Sequence, residues 1–333
     1  MKEGIVWCPH CRQPHLLSET LCTKTGKPLT RGISRSEPGN HPLIGKTIDG
    51  KYRVLKILGQ GGVGIVFEGL NVVLQRPVAI KIVNDRSAAE RVERLKTEAR
   101  IVASLQHPNV CDIYDFGEVP PFGPYLVTER LHGETLAQRF HWQPTFSVPD
   151  TIEIIVQMLS GLHAAHGQNI VHRDVKPQNV FLIDRLGCPP VAKILDFGMA
   201  KDLSANAAAL TRPGRAVGTP QYMAPEQLRG EPVGPASDIF AVGVILYEML
   251  TRRHPFSAGA LVDMQVKIVR ENPRPPSTRR RGLPLALDAV VMRALAKEPR
   301  ARFADAYAMQ RELLRAIPPG YEDPSPESTP PSS

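Results

Sequence analysis

Apolar and polar positions run through this chain in two rhythms, and the change from one to the other falls before its middle. Residues 52–58, 78–83 and 125–128 are short apolar runs with strand character, and Ile65-Val66-Phe67-Glu68-Gly69 continues as strand after a glycine cluster. Residues 87–105 switch to helical spacing, with Val92, Leu95, Ala99, Val102 and Leu105 on one stripe. Beyond Thr135 the pattern is mostly helical, and helices are expected over 152–166, 236–250, 260–271, 285–296 and 304–317. A β-rich front and a helical rear predict an α+β protein of two lobes, with the cleft between them as the natural ligand site.

Three regions separate by composition. Residues 1–42 carry cysteine and histidine and then turn polar, residues 43–317 form one domain whose front lobe ends near 131 and whose rear lobe spans 132–317, and residues 318–333 are a Pro, Ser and Glu tail with little to bury, expected to be disordered. No internal repeat stands out. An apolar fraction of 42% and a charged fraction of 22% suit a globular protein with a sizeable core. The formal charge of +8 is not gathered into aromatic-interleaved basic runs, the densest cluster being Arg279-Arg280-Arg281, so no nucleic-acid partner is expected. The longest apolar run, 240–250, is shorter than the roughly 20 residues that span a bilayer and reads as a buried helix. With no signal-peptide core and five cysteines in no even framework, the cytoplasm is the expected compartment.

The candidate chemistry sits in His172-Arg173-Asp174-Val175-Lys176-Pro177-Gln178-Asn179, followed by Asp196-Phe197-Gly198. Asp174 can accept the proton of an attacking hydroxyl, Lys176 can reach a migrating phosphoryl group, and Asn179 and Asp196 are hard oxygen donors of the type magnesium prefers. Upstream, Gly59-Gln60-Gly61-Gly62-Val63-Gly64-Ile65-Val66 fits G-x-G-x-x-G-x-V, in which glycine lets backbone amides approach phosphate oxygens. The same glycine spacing opens dinucleotide-binding folds, but there it joins a strand to a helix, whereas here strand follows. Lys81 lies inside an apolar strand, where an unpaired ammonium is costly. Its expected partners are ATP phosphates and Glu98, placed mid-helix, with Glu90 and Glu93 facing solvent.

On these residues the chain resembles a eukaryotic-like Ser/Thr protein kinase of the bacterial type over about 52–317. The resemblance implies the two-lobed kinase fold, ATP with Mg (or Mn), and protein substrates with Ser or Thr acceptors. It implies Asp174 as catalytic base, Lys176 as neutraliser of phosphoryl charge, Lys81 paired with Glu98, and Asn179 and Asp196 as metal ligands. Leu58, Gly59, Gly61, Gly64 and Val66 would cover the nucleotide, with Ala79 and Phe181 on the adenine faces. Thr128 falls behind the adenine, Glu129 and Leu131 offer hinge backbone groups, and Glu134 would reach the ribose. His172 and Phe197 would join Val102 and Ile113 in an apolar column linking the lobes. Glu226 would pair with Arg302, and Asp238 would anchor the catalytic loop. Arg173 would grip a phosphate on the activation loop at Thr211, since Thr219 would contact Asp174 and Lys176. A dimer that assists autophosphorylation and a role in bacterial signalling also follow from the resemblance. The competing reading is a nucleotide-binding pseudokinase or scaffold. Small-molecule phosphorylation is disfavoured by Gly-Thr-Pro-Gln-Tyr-Met-Ala-Pro-Glu over 218–226, a protein-substrate segment.

Cys8-Pro9-His10-Cys11 followed by Cys22-Thr23-Lys24-Thr25 resembles a zinc ribbon with Thr25 at the fourth ligand position. Zinc on Cys8, Cys11 and Cys22 would need His10 or His15 to complete the set, and a metal-free vestige is the alternative. Cys111 and Cys188 read as ordinary residues.

Overall fold

The computed structural model describes residues 5–7, 14–16, 41–61, 64–83, 89–143, 146–185, 188–197, 220–321 and 323. Near the N-terminus, β1 (Ile5–Trp7) pairs antiparallel with β2 (Pro14–Leu16). Cys8, Cys11 and Cys22 lie outside the described residues, so the zinc expectation has no geometry.

The front lobe is an antiparallel sheet of β3 (Thr47–Ile48), β4 (Tyr52–Gly61), β5 (Gly64–Asn71), β6 (Arg76–Val83), β7 (Ile113–Val119) and β8 (Gly123–Glu129), in the order β3-β4-β5-β6-β8-β7. Period-two alternation sends Val54, Phe67, Val78, Ile80 and Val127 to one buried face, where they pack with Leu43 and Tyr125. The one helix of this half among the described residues, α1 (Ala89–Ala103), lies against β7 and buries Ala99 and Val102 from the expected stripe. Val92 is half-buried, and the Leu95 side chain lies outside the described residues.

The rear lobe opens with β9 (Glu134–Thr135), α2 (Leu136–Trp142) and α3 (Val148–Gly167). A Thr135–Gln138 capping box starts α2, and the Ser147 hydroxyl accepts from the Asp150 amide to start α3. After α3 the chain makes a β-hairpin, β10 (Val180–Arg185) and β11 (Cys188–Ile194), which with β9 forms a sheet of order β11-β10-β9. The helical rhythm beyond Thr135 hid this sheet, because alternation of buried Val180 and Leu182 over six residues is too brief to stand out. Then follow α4 (Pro225–Arg229), α5 (Pro235–Thr251), α6 (Leu261–Arg270), α7 (Leu285–Ala294) and α8 (Ala306–Arg315). The apolar run 240–250 is the body of α5, buried on nearly every side against α3 and α7. No helix among the described residues is long and apolar enough to cross a membrane.

The tail expected to lack structure begins with packed residues. The Asp323 carboxylate takes two hydrogen bonds of 2.7 Å from the Arg280 guanidinium and one of 2.7 Å from the Val148 amide. A charged fork and the first amide of α3 form an anion site that composition alone does not reveal.

Candidate functional site

A cleft of about 850 Å³ opens between the sheet and the helical lobe. Of the residues expected to hold nucleotide, all but Glu134 line it: Leu58, Gly59, Gly61, Gly64 and Val66 from the β4–β5 hairpin, and Ala79 and Lys81 from β6. Thr128, Glu129 and Leu131 come from β8 and its end, and Phe181 from β10. Strand register gathers them, since Val66 faces Lys81 across β5–β6 and Ala79 faces Thr128 across β6–β8. Gly64 is required sterically, because a Cβ there would stand 2.0 Å from the Ile82 carbonyl oxygen. Gly64→Ala is expected to cost about 1–3 kcal/mol of stability through overpacking and to weaken ATP binding, read by denaturant titration and nucleotide titration together.

At the hinge, the Glu129 carboxylate accepts from Lys193 Nζ at 2.5 Å and from the Asp112 amide at 2.9 Å, and the Leu131 carbonyl accepts from the Arg130 guanidinium. Glu134, expected at the ribose, is turned away. Its carboxylate accepts from Arg139 Nε at 2.5 Å and Trp142 Nε1 at 2.7 Å, and Arg139 also grips Asp184. Two donors on the following helix outcompete the cleft for that carboxylate. Gln138 and His141 of α2 line the cleft instead. The Thr135…Gln138 capping spacing was the signal that would have placed that helix there. Cys111 also lines the cleft, and burial pushes its thiol up to about 12, so it stays protonated.

Lys81 Nζ lies 2.6 Å from the Asp196 carboxylate. Glu98, expected to pair with Lys81, lies half-buried on α1. Asp196 has φ 58°, a left-handed backbone uncommon for a residue with a Cβ. Burial alone would raise its carboxyl. The charge and hydrogen bond of Lys81, helped by His172 and Lys176, outweigh burial and hold it below the usual carboxylate range.

The loop 172–179 is folded on itself. Lys176 Nζ donates to Asp174 Oδ2 at 2.7 Å, and Asn179 Nδ2 donates to the Asp174 carbonyl at 2.8 Å, leaving its Oδ1 as an acceptor. The Leu195 amide donates to the Asn179 carbonyl at 2.8 Å, so the hairpin brings Asn179 and Asp196 to one end of the cleft. His172 is buried. Its Nδ1 accepts from the Asp174 amide, Nε2 donates to the Leu195 carbonyl, and its ring lies 4.7 Å from Phe197. Both ring nitrogens are committed, which makes His172 a spacer. Val102 and Phe197 share one core, with Ile113 packed against it.

Beneath the loop, buried Asp238 accepts from the amides of His172 (2.8 Å) and Arg173 (2.9 Å) and from His166 Nε2 (2.8 Å). That grip holds Arg173 at φ 65°. Gln227 Nε2 donates to the Arg173 carbonyl at 2.8 Å, tying α4 to the same loop. Buried Glu226 and Arg302 form a bidentate pair at 2.7 and 2.8 Å. Gly198, Thr211 and Thr219 lie outside the described residues.

A model of the protein kinase domain matches residues 52–314. The serine/threonine-protein kinase pkn3 of Myxococcus xanthus is 37% identical over 282 residues, covering 83% of this chain and 52% of that protein. Pkn1 of the same organism is 39% identical over 279 residues, covering 83% of this chain and 39% of that protein. PknB of Mycobacterium tuberculosis is 37% identical over 270 residues, covering 80% and 42% respectively. The chain thus spans about half, or less, of the length of these curated relatives.

Proposed function

The chain belongs to the protein kinase family, and from that premise we propose that it transfers the γ-phosphoryl group of ATP to serine and threonine hydroxyls of proteins. The observation that carries this reading is the convergence of Lys176, Asn179 and Asp196 at the end of a cleft with apolar walls and a glycine hairpin, with Asp174 hydrogen-bonded to the first two beside it. Asp174 accepts the proton of the acceptor hydroxyl as its oxygen attacks the γ-phosphorus, and the bond to the β-bridging oxygen breaks, releasing ADP. Lys176, already on Asp174 Oδ2, is placed to neutralise the oxygens of the migrating group. Lys81 is the cation for the phosphates nearer the hinge. The donor set fits magnesium or manganese, since Asp196 is held ionised and Asn179 keeps a carbonyl oxygen available. A divalent ion held by those two residues would neutralise phosphate charge.

Control is expected to run through the loop ahead of Pro220. Arg173 is exposed and forms no ion pair among the described residues, which leaves its guanidinium for a phosphate on Thr211. A dimer would let one copy phosphorylate another, and the reaction is assigned to the cytoplasm. The test is transfer from radiolabelled ATP with Mg²⁺, the Asp174→Asn chain serving as control. Label on the wild type alone supports the reading; label on neither chain with ATP still bound favours a scaffold. Undiminished activity in Thr211→Ala would remove the loop phosphate from the account.

A further inference from the structure

One corner of the rear lobe gathers arginines from two segments beside the chain that follows α8. Arg252 and Arg253 come directly after α5, and Arg279, Arg280 and Arg281 lead towards α7. Arg279 hydrogen-bonds the Tyr247 hydroxyl of α5, and the Arg253 charge acts on that same hydroxyl, so the two segments meet there. Arg280 joins them to the chain's last described residues. Its guanidinium donates to the Phe146 carbonyl at 3.0 Å, the Leu250 carbonyl at 3.4 Å and the Asp323 carboxylate at 2.7 Å. The Tyr321 hydroxyl donates to the Gly282 carbonyl at 3.2 Å, holding the chain against the same corner. Asp288, which also acts on Tyr247, is occupied by the Ser277 amide at 2.9 Å and by the Ser277 hydroxyl. Arg252, Arg253, Arg279 and Arg281 are exposed and form no ion pair among the described residues.

We propose that these arginines receive phosphate carried by Ser325, Ser328 or Thr329, and that the phosphate straps the segment after Asp323 onto this corner. The inference rests on the kinase reading, which supplies the phosphate. The corner already takes an anion from the same stretch of chain, since Asp323 sits on Arg280 and the Val148 amide. The three hydroxyls lie two to six residues beyond Asp323, a reach of about 7–20 Å in extended chain. Unmodified, Pro324-Ser325-Pro326-Glu327-Ser328-Thr329 offers a single carboxylate to the exposed cations. Each phosphate adds about −1.5 to −2 of charge and three acceptor oxygens, which arginine forks grip in pairs. Tethering favours this occupant over a separate acidic protein, because a short linker holds the anion at an effective concentration on the order of millimolar. None of these arginines lines the nucleotide cleft, so a second copy of the chain makes the transfer. The serine or threonine oxygen attacks the γ-phosphorus, its proton passes to Asp174 of the acting copy, and ADP leaves as the bond to the β-bridging oxygen breaks.

The test incubates the full chain with ATP and Mg²⁺, locates phosphates by mass spectrometry, and follows amide hydrogen exchange over residues 318–333 before and after. Ser325→Ala/Ser328→Ala/Thr329→Ala and Arg253→Gln/Arg279→Gln are run beside the wild type, with transfer to dephosphorylated casein measured on every preparation. The wild type is expected to carry phosphate on at least one of the three hydroxyls and to exchange at least about 10-fold more slowly there, the worth of one hydrogen bond to a charged group. About 1 M NaCl is expected to remove that slowing, because exposed charges are screened. Both variants are expected to label casein like the wild type and to show no slowing. Casein labelled while residues 325–329 stay unmodified overturns the inference and leaves the kinase reading in place. So does slowing that survives salt, that persists in Arg253→Gln/Arg279→Gln, or that grows with protein concentration, which would seat the segment on a second copy. Casein unlabelled by every preparation would sink the kinase reading itself, and this inference with it.

Discussion

Asp174→Asn is expected to lower kcat by about 10²- to 10⁴-fold, the range that positioned general bases contribute, with ATP KM and stability unchanged. The separation follows from where Asp174 sits. It does not line the nucleotide cleft, so removing its charge takes nothing from the adenine or ribose contacts. The loop keeps its shape, because Asn179 holds the backbone carbonyl of residue 174 and Asp238 holds the amides of His172 and Arg173. Asparagine fills the same space and can still accept from Lys176 through its oxygen. It cannot take a proton. Steady-state rates at varied ATP, with a thermal melt of each chain, make the check. Wild-type kcat in the variant would remove Asp174 from the chemistry, and a joint loss of ATP affinity would mean the loop had rearranged.

That loop was legible in the sequence because its chemistry is local. Asp174, Lys176 and Asn179 lie within six residues, and one short hairpin returns the chain to Asp196. Spacing alone specifies such a cluster. The glycine hairpin was legible for a similar reason, since four glycines within six residues between two strand-like runs favour a chain that folds back. What depends on distant partners was not legible. Glu134 is drawn to Arg139 and Trp142 once α2 forms, and the sequence does not show which side of β9 offers more donors. Lys81 was expected to meet Glu98, and the left-handed turn at Asp196, expected as a metal ligand, brings that carboxylate within 2.6 Å of it. Cys111 lines the cleft because β7 pairs with β8 beside it, a relation between residues well separated along the chain. The strands of the rear lobe were hidden by their shortness among long helices, although they carry Asn179, Phe181 and Asp196 to the cleft.

Breaking the Glu226–Arg302 pair is expected to give the largest loss of stability. Arg302 is 2% exposed, and each of its five N–H groups has an acceptor: both Glu226 oxygens and the carbonyls of Ala236, Ala296 and Lys297. Its guanidinium also lies 5.0 Å from the Phe240 ring. Arg302→Met leaves Glu226 charged and buried with Ser237 as its remaining side-chain donor and strands three carbonyls. Removing one partner of a buried pair costs about 3–5 kcal/mol, more than a well-packed apolar replacement of both would. Here the double variant Glu226→Gln/Arg302→Met is expected to recover only part of that loss, because the three carbonyls stay unpaired. The pH dependence supplies an independent sign. Burial would raise the Glu226 carboxyl, but the hydrogen bonds from Arg302 and Ser237 outweigh it and hold the group below its ordinary 4.5. A depressed carboxylate contributes its full stability above the unfolded value and loses it as pH falls through the folded one. Denaturant titrations of the wild type and Glu226→Gln should therefore differ most at pH 7 and converge below about pH 4.5. A gap that stayed constant into acid would mean that Glu226 acts by shape and hydrogen bonding, with its charge contributing nothing.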